Sequence, residues 1–364
     1  MRSRWQWLAA PALAALLAAG LAAGPARSQS PEDLWRQALA ATSPEEQIRL
    51  YTEYLRLRPD GANGYFNRGL AYRKKGLPDL AIADYTRAIG LNPNEADFFN
   101  SRGNAYHDKN LLDLALADYS QAIRLKPGGA LAYINRGNAF AKKDLLDLAL
   151  ADYNKAIQLE PGNASAHLRR GNSHLDKGLL DLALADYNRA IQLNPSDSWA
   201  HNNRGTVYDR KKMLDHAIAD YSKAVQLSPK YASAFRNRGR VYGKKGLYGL
   251  QKADYEKAVQ LAPGYAAGLN SLSWLLATCK DANYRDGKRA VELALKAVGT
   301  DYDPAYMDTL AAAYAEAGRW EEAAKTQEQA LSMLRQQKAP AERVKRYEER
   351  LGLFKQKKPY RETE

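Results

Sequence analysis

Arginine and aspartate recur in this sequence at fixed addresses. Arg68, Arg102, Arg136, Arg170, Arg204 and Arg238 lie 34 residues apart, each directly before a glycine. Asp84, Asp118, Asp152, Asp186, Asp220 and Asp254 keep the same interval, each directly before a tyrosine. A planar guanidinium can pair bidentately with a carboxylate, so the two rows predict a ladder of structural ion pairs, within or between repeats. Such a pair adds little net stability, but removing one partner strands the other. Asparagine forms further rows. Asn67, Asn135, Asn203 and Asn237 share one register, and Asn104, Asn138 and Asn172 share another, three residues on. An asparagine side chain carries both donors and an acceptor. Arg236, Arg240 and Lys244 stand at i, i+4 and i+8, a basic stripe suited to an acidic side chain or a terminal carboxylate.

Catalytic patterns are missing. The five histidines, His107, His167, His174, His201 and His216, show neither HExxH nor HxxxH spacing. No glycine-rich phosphate loop and no GxSxG elbow occurs. His167 and His201 hold the same register in neighbouring repeats and read as core or groove residues, near enough to stack. The single cysteine, Cys279, has no partner for a disulfide within the chain, so packing alone must hold the fold. The expectation is a protein that is not an enzyme, with no catalytic residue, no metal and no cofactor.

The net charge of +13 favours acidic partners: an anionic surface, an acidic polymer or an acidic peptide. Residues 1–26 read as a signal peptide. Arg2 and Arg4 make a basic start, Leu8 to Ala23 is an apolar run, and small residues with Pro25 follow. That run is short of the roughly 20 apolar residues a membrane span needs. The expected product is exported, periplasmic or secreted, with cleavage near Ala26. Export and the placement of the recurring aromatics between helices both argue against nucleic acid as a partner.

The elements that position these rows follow from the period itself. Gly69, Gly103, Gly137, Gly171, Gly205 and Gly239 are spaced by 34, as are Tyr85, Tyr119, Tyr153, Tyr187, Tyr221 and Tyr255, and as are the prolines from Pro59 to Pro263. Each period predicts two helices, for example Ala96 to Asp108 and Leu112 to Leu125. Between them Asn110, or Gly76, Gly178 and Gly246 elsewhere, suits left-handed backbone geometry. Pro127 cannot continue the second helix. Gly103 is expected to face Ala115 and let the two helices approach. Gln251 replaces the small alanine of the sixth unit, which predicts looser packing there. A lone helix pair cannot bury its apolar face, so neighbours must stack.

Gly69, Tyr72, Ala81, Tyr85, Ala88 and Pro93, repeated with small departures from Ala96, Ala130, Ala164, Ser198 and Ala232, resemble the tetratricopeptide-repeat (TPR) family. The resemblance implies an all-α fold: a right-handed α-solenoid of stacked helix-turn-helix units with a C-terminal capping helix. It divides the chain into a degenerate N-terminal unit at 27–61, six regular repeats at 62–265, two divergent units at 266–337, and a capping helix with a basic tail at 338–364. The eighth unit lacks the proline. Glu342, Lys345, Arg346, Glu349 and Arg350 supply the polar outer face that a terminal helix needs.

In such proteins the first helices line a concave face, which places Asn67, Asn104, Asn135, Asn138, Asn172, Asn203 and Asn237 in a peptide groove. A ladder of this kind can hold an extended backbone without reading its sequence. It is similar to the asparagine ladder in the TPR region of the O-linked N-acetylglucosamine transferase, of whose catalytic domain this sequence carries nothing. Phe66, Ile134, Leu168 and Trp199 would add apolar contacts, and Arg236, Arg240 and Lys244 a basic grip. The carboxylate clamp of chaperone-binding members does not match, since Phe66 and Leu70 stand at its positions. The expected function is a non-catalytic scaffold binding an extended peptide or protein partner, of acidic character. The alternative is an envelope-surface assembly factor held to anionic polymer or lipid through a basic edge formed by Lys75, Lys109, Lys143, Lys177, Lys211 and Lys245.

Overall fold

A computed structural model describes residues 30–362. The segment read as a signal peptide lies outside these residues. Among the described residues all regular structure is helical, with nineteen α-helices, one short 3-10 turn and no strand. The chain forms two compact units, Met1–Pro127 and Gly128–Glu364. The first contains α1 (Pro31–Ala40), α2 (Pro44–Leu57), α3 (Ala62–Lys74), α4 (Pro78–Leu91), α5 (Ala96–Asp108) and α6 (Leu112–Leu125). The second contains α7 (Ala130–Lys142), α8 (Leu146–Leu159), α9 (Ala164–Asp176), α10 (Leu180–Leu193), α11 (Ser198–Arg210), α12 (Leu214–Leu227), α13 (Ala232–Lys244) and α14 (Tyr248–Leu261). It continues with α15 (Ala266–Thr278), α16 (Gly287–Thr300), α17 (Pro304–Glu316), α18 (Trp320–Gln336) and α19 (Ala341–Lys355). Within each unit every helix packs on the next along the chain. The helices α5 and α6 match the sequence expectation residue for residue.

The local rules are visible at each turn. Residues 76, 110, 144, 178, 212 and 246 all adopt positive φ between the two helices of a hairpin, with Asn110 at 61° and Gly178 at 74°. Asp144 and Lys212 take the same conformation, although neither is a glycine or an asparagine. The second helices of the regular hairpins start after this turn and stop before a proline, which fixes their length at 14 residues. Where that proline is missing, α18 runs on to 17 residues.

The core of each hairpin is one tyrosine ring. Tyr85, Tyr119, Tyr153, Tyr187 and Tyr221 are at most 1 % exposed. Each ring packs against the glycine of the first helix. A Cβ added to Gly103 would come within 2.7 Å of the Tyr119 ring, and one on Gly137 within 2.7 Å of Tyr153. The nearest neighbour of Gly103 across the hairpin is thus Tyr119. The sixth hairpin keeps the arrangement, with Tyr255 against Gly239. In place of the small alanine of the other hairpins, the Gln251 amide lies over Gly243, which carries no side chain to oppose it, and its Oε1 is buried without a partner. In the first hairpin Trp35 replaces the glycine and meets Tyr51 edge-on at 5.5 Å.

The first helices of successive hairpins touch one another: α3 and α5 in the first unit, and α7, α9, α11, α13, α15 and α17 in the second. The second helices make no comparable contact within either unit. Each stack therefore has an inner side made by first helices.

One polar group reverses its expected role. Arg350 is only 8 % exposed and its Nε donates to Asp308 at 2.8 Å, so it belongs to the interior and not to the outer face of α19. A helix face read from periodicity alone cannot anticipate an acidic partner 42 residues away.

The tyrosine slot predicts a contrast between two glycines. Gly103→Ala should cost about 1–3 kcal/mol through overpacking against Tyr119. Gly90 is exposed on α4 with open space around it, so Gly90→Ala should gain about 0.5 kcal/mol. Paired thermal melts measure both, and equal effects would contradict the slot.

Candidate functional site

The inner side is built from a three-residue run on each first helix set against a two-residue run on the second. In the second regular hairpin these are Arg102-Gly103-Asn104 and Asp118-Tyr119. Arg102 donates to both carboxylate oxygens of Asp118 at 2.8 Å. Arg68–Asp84, Arg136–Asp152, Arg204–Asp220 and Arg238–Asp254 repeat the fork at 2.7–2.8 Å, and Arg170–Asp186 does so at 2.6–3.1 Å. The predicted ladder forms, and every pair is within one hairpin. The aspartates are 3–6 % exposed.

Two further contacts hold an arginine of the ladder wherever aromatic residues flank it. Its plane lies between aromatic rings one turn away on either side, as Arg68 does between Tyr65 at 5.6 Å and Tyr72 at 5.7 Å. Arg102, Arg136 and Arg238 are sandwiched in the same way. The remaining guanidinium nitrogen crosses to the preceding hairpin. Arg68 Nη1 donates to Thr52, Arg102 to Thr86, Arg170 to Asn154, Arg204 to Asn188 and Arg238 to Ser222, at 2.8–3.1 Å. Sequence reasoning missed these acceptors. The available signal was a short polar residue directly after each core tyrosine from Tyr51 to Tyr221.

The tyrosine determines what the asparagine can do. Tyr119 Oη–H donates to Asn104 Oδ1 at 2.8 Å, Tyr153 to Asn138 at 2.9 Å and Tyr187 to Asn172 at 2.9 Å. Burial pushes these phenols well above the ordinary tyrosine range, so they remain protonated donors. With Oδ1 engaged, the Nδ2 groups of Asn104, Asn138 and Asn172 have no acceptor among the described residues. Thr206 meets Tyr221 in the same register at 3.1 Å, whereas Leu70 leaves the Tyr85 hydroxyl unpaired. Asn203 and Asn237 differ. Asn203 Nδ2 donates to Asn172 Oδ1 at 2.9 Å, and Asn237 Nδ2 donates to Asn202 Oδ1 at 3.0 Å. Asn67 is partly exposed on α3, and Asn135 is partly buried on α7.

The basic stripe is not free. Arg240 Nη2 and Lys244 Nζ both reach Asp209 on α11, at 2.8 and 2.6 Å. Asp209 is 3 % exposed. Arg236 donates across to Ser271 Oγ and the Ala267 carbonyl on α15. Arg240 and Lys244 share this one buried carboxylate, and the three cations tie adjacent hairpins. Among the apolar candidates, Ile134 is buried, Leu168 packs in a core cluster, and Phe66 stacks on Phe98 at 4.9 Å. Trp199 alone of the four is open, 60 % exposed, with its ring 4.8 Å from Tyr231. Leu131, in the same register on α7, is also 60 % exposed.

Profiles of the tetratricopeptide repeat match residues 62–95, 130–163 and 232–265, and a TPR-repeat profile matches 103–144, 171–212 and 210–246. Together they cover more than half of the chain. The chain belongs to the tetratricopeptide-repeat family. TPR proteins are in general non-catalytic scaffolds for protein or peptide partners. Among solved structures, the APC/C hetero-tetramer Cut9-Hcn1 aligns with a TM-score of 0.60 at 18 % identity, over 78 % of this chain and 55 % of that one. PilF of Pseudomonas aeruginosa aligns with a TM-score of 0.52 at 17 % identity, over 58 % and 96 %. Both likenesses concern the fold. YrrB, described as a TPR protein with an unusual peptide-binding site, shares 27 % identity over 51 % of this chain and 96 % of its own, with a TM-score of 0.42. No curated protein matches the chain.

The TPR edge that carries the lysine row is also charge-paired. Lys109, Lys177, Lys211 and Lys245 each contact the aspartate opening the second helix of the preceding hairpin: Asp79, Asp147, Asp181 and Asp215. Lys75 meets Glu45 at 3.4 Å. Each such lysine stands opposite an exposed carboxylate, so the row offers little net positive charge to an anionic surface.

In the third TPR hairpin's successors, histidine replaces the aromatic flanks. His174 Nδ1 lies 2.9 Å from Asp186, and His167 lies 3.6 Å from the same carboxylate. His201 lies 3.2 Å from Asp220, whose carboxyl sits below the usual aspartate range: burial opposes its charge, but Arg204 and His201 outweigh that. His167 and His201 do not stack; each turns to the aspartate of its own hairpin. No group of three or more metal-ligating residues occurs among the described residues. Cys279 is buried, and burial pushes its thiol up, away from a reactive thiolate.

The pairing predicts a coupled pair of substitutions. Asp152→Ala should cost about 3 kcal/mol, because it strands a shielded guanidinium. Adding Arg136→Ala should then cost under about 1 kcal/mol more. Strictly additive losses in denaturant titrations would contradict the fork.

Proposed function

We propose that this TPR chain is a non-catalytic scaffold that holds an extended peptide segment against the inner side of its first helices. The observation that carries this reading is the pinning of Asn138 and Asn172 by core tyrosines on the second unit. An extended backbone presents carbonyl oxygens at regular intervals and needs fixed donors. Each pinned asparagine supplies an oriented N–H pair at little entropic cost on binding. On the second unit, Leu131 and Trp199 add exposed apolar contacts two hairpins apart, and Arg169 is an exposed cation between them. The favoured ligand is therefore an extended segment with apolar side chains and an acidic residue. We also infer export, to the periplasm or the medium, from the basic, apolar and small-residue order of positions 1–26. The reading in which the lysine edge grips anionic polymer or lipid has less support, because that edge is paired with aspartates.

A substitution that spares the core separates these readings. In Asn138→Asp/Asn172→Asp the carboxylates still accept from Tyr153 and Tyr187, but the outward donors are gone. Partners captured from envelope extract by the parent chain in high salt should fall at least tenfold with this variant, while its thermal melt stays near the parent's. Capture that is indifferent to the variant but lost in salt would move the function to the charged edge.

A further inference from the structure

The inner side of the last two hairpins is already occupied. Residues 358–362 have no regular secondary structure and lie across α15 and α17. The Tyr360 ring stacks 5.8 Å from Trp274, and the Arg350 guanidinium lies over both rings, at 5.3 and 5.7 Å. Arg361 Nη1 donates to the Ala277 carbonyl at 3.2 Å, and its Nη2 pairs with Glu316 at 2.7 Å. The Glu362 backbone N–H donates to the Thr278 carbonyl at 3.1 Å. Glu316 also receives Arg285 at 3.1 Å, so it is a carboxylate shared by two guanidiniums.

The register gives these contacts their meaning. Trp274 lies one 34-residue period after Arg240, two after Thr206 and three after Asn172, in the row that holds the pinned asparagines. Thr278 stands one period after Lys244. A non-helical stretch of backbone thus sits on α15 in the register proposed above to receive a ligand, held by an aromatic stack, a charged pair and a main-chain hydrogen bond. The supporting floor is rigid. Arg350 is fixed by Asp308, whose carboxyl burial pushes up, and Gln327 Nε2 donates to the same oxygen at 2.7 Å.

We propose that the inner side of α15 and α17 is a second peptide site, selective for an extended segment with an aromatic residue followed by arginine, and that residues 358–362 fill it in cis. Trp274 and Arg350 would hold the aromatic ring, and Glu316 the arginine. A partner segment of the same chemistry would compete with the chain's own segment for the site. The proposal shares the inner-side logic of the preceding reading but uses different residues, so either can fail alone.

The test uses the full chain and a fluorescently labelled peptide of residues 356–364. A tethered segment acts at roughly millimolar effective concentration. The parent chain should therefore bind the peptide at least about tenfold more weakly than Tyr360→Ala/Arg361→Ala, in which the cis segment has lost both anchors. Adding Trp274→Ala to that variant should abolish binding, as should replacing the tyrosine and arginine of the peptide by alanine. Equal binding to parent and variant, or none to either, would overturn the proposal. So would loss of helical circular dichroism in Tyr360→Ala/Arg361→Ala, since the segment would then be part of the core and not a ligand.

Discussion

The structure depends on a buried aspartate-tyrosine pair on the second helix of each of the six regular hairpins. The tyrosine ring needs a neighbour without a side chain, which makes the glycine of the first helix obligatory. Once the ring is seated, its hydroxyl and the adjacent carboxylate reach the residues on either side of that glycine. The carboxylate takes the arginine before it, and in three hairpins the hydroxyl takes the asparagine after it. One packing contact thereby sets two polar geometries of opposite use. The arginine faces the stack and joins it to the preceding hairpin. The asparagine faces the inner side and is left with an oriented donor.

The arginine link explains how a repeat array behaves as more than separate hairpins. Each regular hairpin buries only a small core of its own, so its stability rests on the interface with its neighbour. The guanidinium satisfies a carboxylate in its own hairpin and a hydroxyl or amide in the one before, with aromatic rings on both faces. Lysine could not replace it, because a single ammonium has no planar fork to span both acceptors. Where histidine takes over the flanks, at His167 and His174, the aromatic stack becomes a polar cluster on Asp186, and the ladder continues without a break in register.

Much of this was legible in the sequence, for a physical reason. A strict 34-residue period copies every contact, so six appearances of Arg-Gly and Asp-Tyr expose a pairing that one appearance would hide. Helix limits were equally plain, because proline and left-handed turn residues punctuate every period. What stayed hidden depends on residues that break the pattern. Asp209 stands where other hairpins carry Arg73, His107, Ala141 and Leu175, and nothing local marks it as the buried sink for Arg240 and Lys244. Thr86 and Asn154 look like ordinary surface residues until the arginine of the next hairpin reaches them. The asparagine rows were plain in the sequence, but the tyrosine bonds that orient them join positions 15 residues apart on different helices. Arg350 looked solvent-facing by periodicity, and its aspartate lies two helices back.

The claim that core tyrosines orient the binding asparagines can be tested through the core itself. The measurement is the affinity of Tyr153→Phe/Tyr187→Phe for the partner captured by the parent chain, at a temperature where both are folded. The account predicts a loss of at least several-fold, because Asn138 and Asn172 would keep their identity but lose their fixed orientation. An unchanged affinity would show that the hydroxyls serve only the core, and would contradict the link between packing and binding.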